Sequence, residues 1–193
     1  MASSLANVLA KVLIDANVLY SRTLRDWLLL LAVEGGMYRG YRTEDIIAET
    51  IYHLRRDYPQ LDGGVLTELR NKLETCLTPI PQYEILADYP GADPNDAHLH
   101  SAAVAGGIGY VVTNDGSFTE SMDHDDLTYE IYDADSFLLL VDDSSSETVH
   151  AVTHRQAEWF IQRHGECHLV DELILAGCPE FADRVRLHLQ SLY

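Results

Sequence analysis

Two short apolar runs, Val12-Leu13-Ile14 and Tyr110-Val111-Val112, each deliver the chain to an aspartate: Asp15 in Asp15-Ala16-Asn17 and Asp115 in Thr113-Asn114-Asp115. Aliphatic and β-branched runs of this length, each beside a helical pattern, read as strands of a parallel sheet whose two faces are both covered. Such sheets hold ligands beyond the carboxyl ends of their strands, where both aspartates fall. A third acidic cluster, Asp93-Pro94-Asn95-Asp96, opens an alanine-rich helical stretch over 97–107. Carboxylates that converge to about 4 Å in a partly buried site repel by several kcal/mol, so a divalent cation is the simplest neutraliser.

The remaining punctuation fits a βα alternation. The sequence predicts a strand over 11–16 and a helix from Ser21 or Thr23 to Val33, stopped at Glu34-Gly35-Gly36. A second strand follows at 38–41. Thr43 is placed to cap a helix that runs to Asp57, with Glu44 and Asp45 against its first-turn dipole. A further helix over 64–77 is stopped by Pro79 and Pro81, and 83–87 reads as the third strand. Pro94 starts the next helix and Gly106-Gly107 ends it. Strands at 110–114 and 127–132 and a short helix at 136–141 complete a doubly wound, three-layer α/β/α sandwich around a parallel sheet. Residues 142–146 read as a linker, with Ser144 and Glu147 at capping-box spacing. The helical patterns beyond it, to His164, over 168–176 and over 180–191, make a small C-terminal helical extension. The division is 1–143 for the α/β domain and 144–193 for the extension.

Charge is distributed unevenly over the 193 residues. The net charge is −18, yet residues 1–72 balance nine Lys or Arg against nine Asp or Glu, while residues 73–154 carry sixteen acids and no Lys or Arg. A polyanion can be gripped only by the first third or by the C-terminus, and a basic partner suits the rest. No apolar run approaches the roughly 20 residues of a membrane span. Residues 1–10 lack the basic start of a signal peptide, which predicts a cytoplasmic protein. Cys76, Cys167 and Cys178 have no ligand spacing and are expected to be free thiols.

Asp15-Ala16-Asn17-Val18-Leu19 after a first strand, a Glu in the helix after the second, Asp93-Pro94-Asn95-Asp96 opening a late helix, and Thr113-Asn114-Asp115-Gly116-Ser117-Phe118 together resemble the PIN-domain ribonucleases, nearest the VapC-type toxins of bacterial toxin–antitoxin pairs. The resemblance covers about residues 11–140. It implies an acidic pocket in which Asp15, Glu49, Asp96 and Asp115 hold Mg²⁺ or Mn²⁺ and hydrolyse RNA, with Asn17 and Thr113 orienting ligands or water from behind. Ser117 stands where many relatives carry another acid. Glu49 lies off the apolar stripe Ile46, Ile47, Thr50, Ile51 and Leu54, and on spacing alone it is a solvated residue; the family pattern is what selects it. Asp93 competes with Asp96 for its role and, preceding Pro94, reads as a helix cap. The implied partners are RNA, an antitoxin with a basic segment, and a second copy of the chain, with no membrane.

Arg22 and Arg25, at the start of the helix that follows Asp15, could hold RNA phosphates or form ordinary surface ion pairs. His150 and His154 have the spacing of a helical metal pair but no evident third ligand, so a solvated face is the simpler reading. His100, one turn from Asp96, reads as surface or packing, with a substrate contact as the rarer use. A haloacid-dehalogenase-like phosphatase or a phosphoacceptor receiver would need a lysine after a late strand, and none follows Lys72. A PIN-like module that has lost catalysis and only binds RNA or protein is the remaining alternative.

Overall fold

The computed structural model describes residues 9–87, 89–91, 93–120 and 127–190. Five parallel strands form the sheet: β1 (Lys11–Ile14), β2 (Arg39–Arg42), β3 (Thr78–Pro79), β4 (Tyr110–Val112) and β5 (Glu130–Tyr132), in the spatial order β3-β2-β1-β4-β5. The helices between them are α1 (Ala16–Tyr20), α2 (Arg22–Val33), α3 (Glu44–Asp57), α4 (Gly63–Cys76), α5 (Ala97–Gly106), α6 (Gly116–Glu120) and α7 (Ala134–Ser144). α8 (Ser146–His164), α9 (Leu169–Leu175) and α10 (Pro179–Gln190) follow, giving the expected α/β/α sandwich with added C-terminal helices. The leader reading of residues 1–10 and the helix end at Ser191 fall largely outside the described residues. Among the described residues no helix is long and apolar enough to cross a membrane. The three cysteines are free thiols.

The strand order turns back between β1 and β4. β1 pairs with β2 on one side and with β4 on the other, with Leu13 opposite Val111 and Ile14 opposite Val112. The chain therefore leaves two neighbouring strands in opposite directions across the sheet, which opens a crevice at their carboxyl ends. Val12, Leu13, Ile14, Val111 and Val112 are fully buried, as expected for strands covered on both faces. Lys11, at the far end of β1, donates to the carbonyl of Gly106 at 2.9 Å, and Gly107 ends α5 with φ 56°, a left-handed conformation that suits glycine.

Two expectations fail here. The third strand is not at 83–87 but at Thr78–Pro79, directly after α4, and the Ile80 amide adds one more bond to the Arg42 carbonyl at 2.9 Å. Pro81 lacks the N–H that would extend the ladder, and Pro79 is tolerated because β3 is an edge strand. The 83–87 segment is tied to α5 instead, where the Leu86 amide donates to the Ser101 hydroxyl at 3.0 Å. The expected linker at 142–146 is also absent, since α7 runs to Ser144 and α8 starts at Ser146. Ser145, not Ser144, caps α8, and its side chain meets the Thr148 hydroxyl at 2.9 Å rather than closing a capping box.

The C-terminal helices share one continuous apolar core with the sandwich. Trp27 of α2 and Phe181 of α10, both fully buried, meet edge to face at 5.0 Å. Asp135 of α7 accepts the first amides of α10, from Phe181 at 2.8 Å and Glu180 at 3.1 Å. Asp142, 1% exposed, accepts from Arg184 at 3.2 Å and pairs with His188 at 2.8 Å, fixing the other end of α10 to α7.

Candidate active site

Asp15 ends β1 and caps α1, so its position follows from the strand and the helix start together. Its Oδ1 accepts the Ala16 amide at 2.6 Å. Its Oδ2 accepts the Thr113 hydroxyl and the Asn17 amide group, each at 2.7 Å. Because Ile14 and Val112 are partners in the sheet, the next residues, Asp15 and Thr113, emerge side by side. Asn17 also donates to Thr113 Oγ1 at 3.0 Å and accepts the Asn114 amide at 3.1 Å, which stitches α1 to the loop after β4. Asn114 in turn accepts the Ala134 amide at 2.9 Å, carrying the same network to α7.

Asp115 follows in that loop. Its amide donates to Thr113 Oγ1 at 3.1 Å, and its Oδ1 accepts both the Ser117 amide at 2.8 Å and the Ser117 hydroxyl at 2.6 Å. The Ser117 hydroxyl and the Ser117 and Phe118 amides hold the Asp115 carboxyl below the usual range. Ser117 thus steadies the Asp115 carboxylate.

Asp96 is the last residue of a 3₁₀ turn, Pro94–Asp96, and stands at the start of α5 without capping it through its side chain. Its Oδ2 is buried and finds no hydrogen-bond partner among the described residues. Burial, then the nearby charges of Asp115, Asp93 and Asp15, push its carboxyl up to about 6. Asp93 is exposed just ahead of the turn, and its carbonyl accepts the Asp96 amide at 3.1 Å. Asp15 is also raised, chiefly by burial and further by Glu49, against the lowering influence of Thr113, Ala16 and His98. Asp96 therefore lies within electrostatic reach of both Asp115 and Asp15, and Glu49 reaches Asp15.

Glu49 projects from α3 beside His98, with Oε1 3.8 Å from Nε2, and with it lines a hollow that also takes in Asp45 and Tyr83. Sequence reasoning passed over His98, which bears on Asp15, Asp96 and Glu49 alike. Its position two residues beyond Asp96 was the available signal. Tyr89 was missed too: its hydroxyl is buried without a partner among the described residues, and burial with Asp96, Asp93 and Asp115 nearby pushes it up to about 12. His100 belongs to the core, 8% exposed, with Nδ1 2.8 Å from the Tyr129 hydroxyl.

The two arginines part company. Arg22 is exposed, 3.7 Å from Asp26 and 5.7 Å from the centre of the Trp159 ring. Arg25, expected at the RNA, is instead buried. Its Nη1 donates to the carbonyls of Leu19 at 2.6 Å and Tyr20 at 3.3 Å, closing the C-terminal end of α1. A residue three positions into α2 points back over the preceding turn, which carries Arg25 onto α1 rather than towards solvent.

The donors fit a hard divalent cation in kind, since the set is all carboxylate oxygen and one of those oxygens, Asp96 Oδ2, is buried without a partner among the described residues. As they stand, no three His, Cys, Asp or Glu side chains among the described residues are close enough to share an ion. The family model described as a PIN domain matches residues 11–117, more than half of the chain. No curated protein matches the chain significantly.

Proposed function

We propose, from the premise that this chain belongs to the PIN domain family, a family of nucleases, that it is a divalent-metal-dependent endoribonuclease. The observation that carries this reading is the placement of Asp15 and Asp115 just past the carboxyl ends of β1 and β4 and of Asp96 at the start of α5, with the Asp96 carboxyl raised to about 6 by burial and by its acidic neighbours, Asp115 and Asp15 among them. Groups perturbed in this way cluster where charge is to be handled.

Asp15, Asp96, Asp115 and Glu49 would hold Mg²⁺ or Mn²⁺. When bound, such an ion offsets charge on the scissile phosphate and acidifies a coordinated water. The side chains of the protein fix the donors. Thr113 and Asn17 lock the Asp15 carboxylate in one orientation, and Ser117 does so for Asp115. His98 sets a cation-capable group beside Glu49. Incubating the protein with total RNA, with Mn²⁺ or Mg²⁺ and separately with chelator, tests the reading: metal-dependent cleavage that Asp115→Asn abolishes supports it, and cleavage indifferent to chelator rejects it.

The finer assignment is the toxin of a toxin–antitoxin pair. The acidic stretch 73–154 offers a complement to a basic antitoxin segment. Growth arrest on induction, lost in Asp115→Asn and relieved by a neighbouring basic protein, is the expected behaviour. A second reading, an inert PIN-like binding module, draws on the absence of a ready-made three-donor cluster among the described residues. RNA binding without cleavage under every metal would select it.

A further inference from the structure

A cavity of about 790 Å³ opens between α2, α4, α8 and the start of α9, and none of Asp15, Glu49, Asp96 and Asp115 lines it. Its size is that of a small-molecule site. Three residues that line it, Arg25, Trp27 and Gln156, are each at most 8% exposed, and each carries a buried N–H with no partner among the described residues: Arg25 Nε, Trp27 Nε1 and Gln156 Nε2. Buried polar groups are nearly always satisfied, so three unmet donors on residues around one cavity single out this wall from the rest of the core. At its mouth Trp159 is 40% exposed, with the Arg22 guanidinium 5.7 Å and that of Arg163 5.4 Å from its ring centre.

Cations gather here although the chain as a whole is strongly acidic. Arg22, Arg25, Lys72 and Arg155, four of the thirteen Lys and Arg, line the cavity, and Arg163 adds a fifth at Trp159. The acids on the wall are engaged. Asp26 is held by Lys72 at 2.6 Å and Arg22 at 3.7 Å, Glu166 lies 3.2 Å from His168, and Glu172 accepts the Thr23 hydroxyl at 3.4 Å. Glu34, outside the wall, pairs with Arg155.

We propose that this cavity binds a nucleotide, a base with its phosphate. The base would lie against the Trp159 ring and meet the Gln156 amide with its edge, while the phosphate faces the Arg22 and Lys72 side. Stacking on an aromatic ring flanked by guanidinium groups is how proteins hold an unpaired base. A Gln amide supplies donor and acceptor for a base edge. The ligand is a free nucleotide or one unit of an RNA strand, and the two share this chemistry.

Both tryptophans of the chain line the cavity, so their emission reports on it. The full chain, kept in chelator so that cleavage plays no part, is titrated with the four nucleoside monophosphates, with a short oligoribonucleotide and with inorganic phosphate, by fluorescence and by calorimetry. The expected result is saturable binding of at least one monophosphate, weakened about tenfold or more by Trp159→Leu. Gln156→Leu is expected to weaken it and flatten the preference among bases, and Asp115→Asn to leave it unchanged. An oligoribonucleotide that binds much more tightly than any monophosphate identifies a strand as the source; equal affinities identify the free nucleotide. No saturable binding of monophosphate or oligoribonucleotide, binding matched by inorganic phosphate alone, or normal binding by a folded Trp159→Leu variant overturns the proposal. Because metal and acids are outside the assay, such a failure leaves the nuclease reading standing, and inert acids leave this site standing.

Discussion

The Thr113 hydroxyl donates to Asp15 at 2.7 Å while accepting the Asp115 amide at 3.1 Å, so one side chain at the end of β4 fixes both strand-end aspartates. Thr113 is 1% exposed, so its hydroxyl is shut off from bulk solvent. Thr113→Val keeps the shape and removes the hydroxyl. It is expected to cost about 1–3 kcal/mol in urea unfolding, since it leaves a buried carboxylate short of a donor. Because the Thr113 bond lowers Asp15, its loss raises that carboxyl further, and the variant's pH profile for RNA cleavage shifts to higher pH.

Asp96 gives a sign test at low salt without metal. Its carboxyl is raised from 3.8 to about 6 in the folded chain. Its charged form is therefore disfavoured by folding, and the wild type loses stability as pH rises through that window. Asp96→Asn removes the penalty. The variant is expected to melt higher than wild type at pH 8, with the advantage shrinking as pH falls through about 6 and gone below about 4. It is also expected to lose RNA cleavage. An unchanged difference in melting temperature across that range would place the perturbation elsewhere.

The carboxylates also predict a metal-linked gain. Mn²⁺ at a hundredfold over its dissociation constant is expected to stabilise the fold by about 2.7 kcal/mol by mass action. Asp15→Asn, Asp115→Asn and Glu49→Gln are each expected to reduce that increment and abolish cleavage. Thermal melts with Mn²⁺, Mg²⁺ and chelator read it directly.

What the sequence discloses depends on how local the cause is. Asp15 and Asp115 were legible because strands buried on both faces are continuous apolar runs, and the residue after such a run sits at the ligand end of the sheet. Asp96 was legible from its place ahead of an alanine-rich helix. The third strand was not, because two residues at an edge leave no periodic signal and Pro79 argues against a strand on local grounds. Arg25 was misplaced for a similar reason. Its burial is set by the α1–α2 corner, where the two helices meet with only Ser21 between them, and charge alone reads as surface. His98 had only its nearness to Asp96 in the sequence to mark it, since its partner Glu49 lies on a distant helix, and the cavity beside Trp159 depends on contacts between distant segments that composition does not encode.

The C-terminal helices are part of the core that the acids are mounted on. Phe181→Ala removes the ring packed on Trp27 at 5.0 Å and is expected to cost about 3–5 kcal/mol. A chain ended near Asp143 loses Phe181, Val185 and the partners of Asp142 together, so it is expected to aggregate or fail to fold. A monodisperse, folded truncation that still binds Mn²⁺ would show that the sandwich stands alone.

The two arginines at the start of α2 should separate cleanly, because one is committed to the fold and the other to the surface. Arg25 donates to the Leu19 and Tyr20 carbonyls from a buried position, so Arg25→Gln leaves α1 without its C-terminal donors and is expected to cost about 1.5–3 kcal/mol, the range of a charge-assisted bond. Arg22, whose side chain is 69% exposed, makes a long contact to Asp26 and lies 5.7 Å from the Trp159 ring centre, and Arg22→Gln is expected to change stability by less than about 0.5 kcal/mol. RNA binding should respond in the opposite order. Loss of the Arg22 charge is expected to lower the salt slope of single-strand binding by about 0.7 and to weaken all sequences alike, as removal of one phosphate contact does. Urea melts and binding isotherms at several salt concentrations check both halves. A stable Arg25→Gln protein with a reduced salt slope would return that arginine to the RNA.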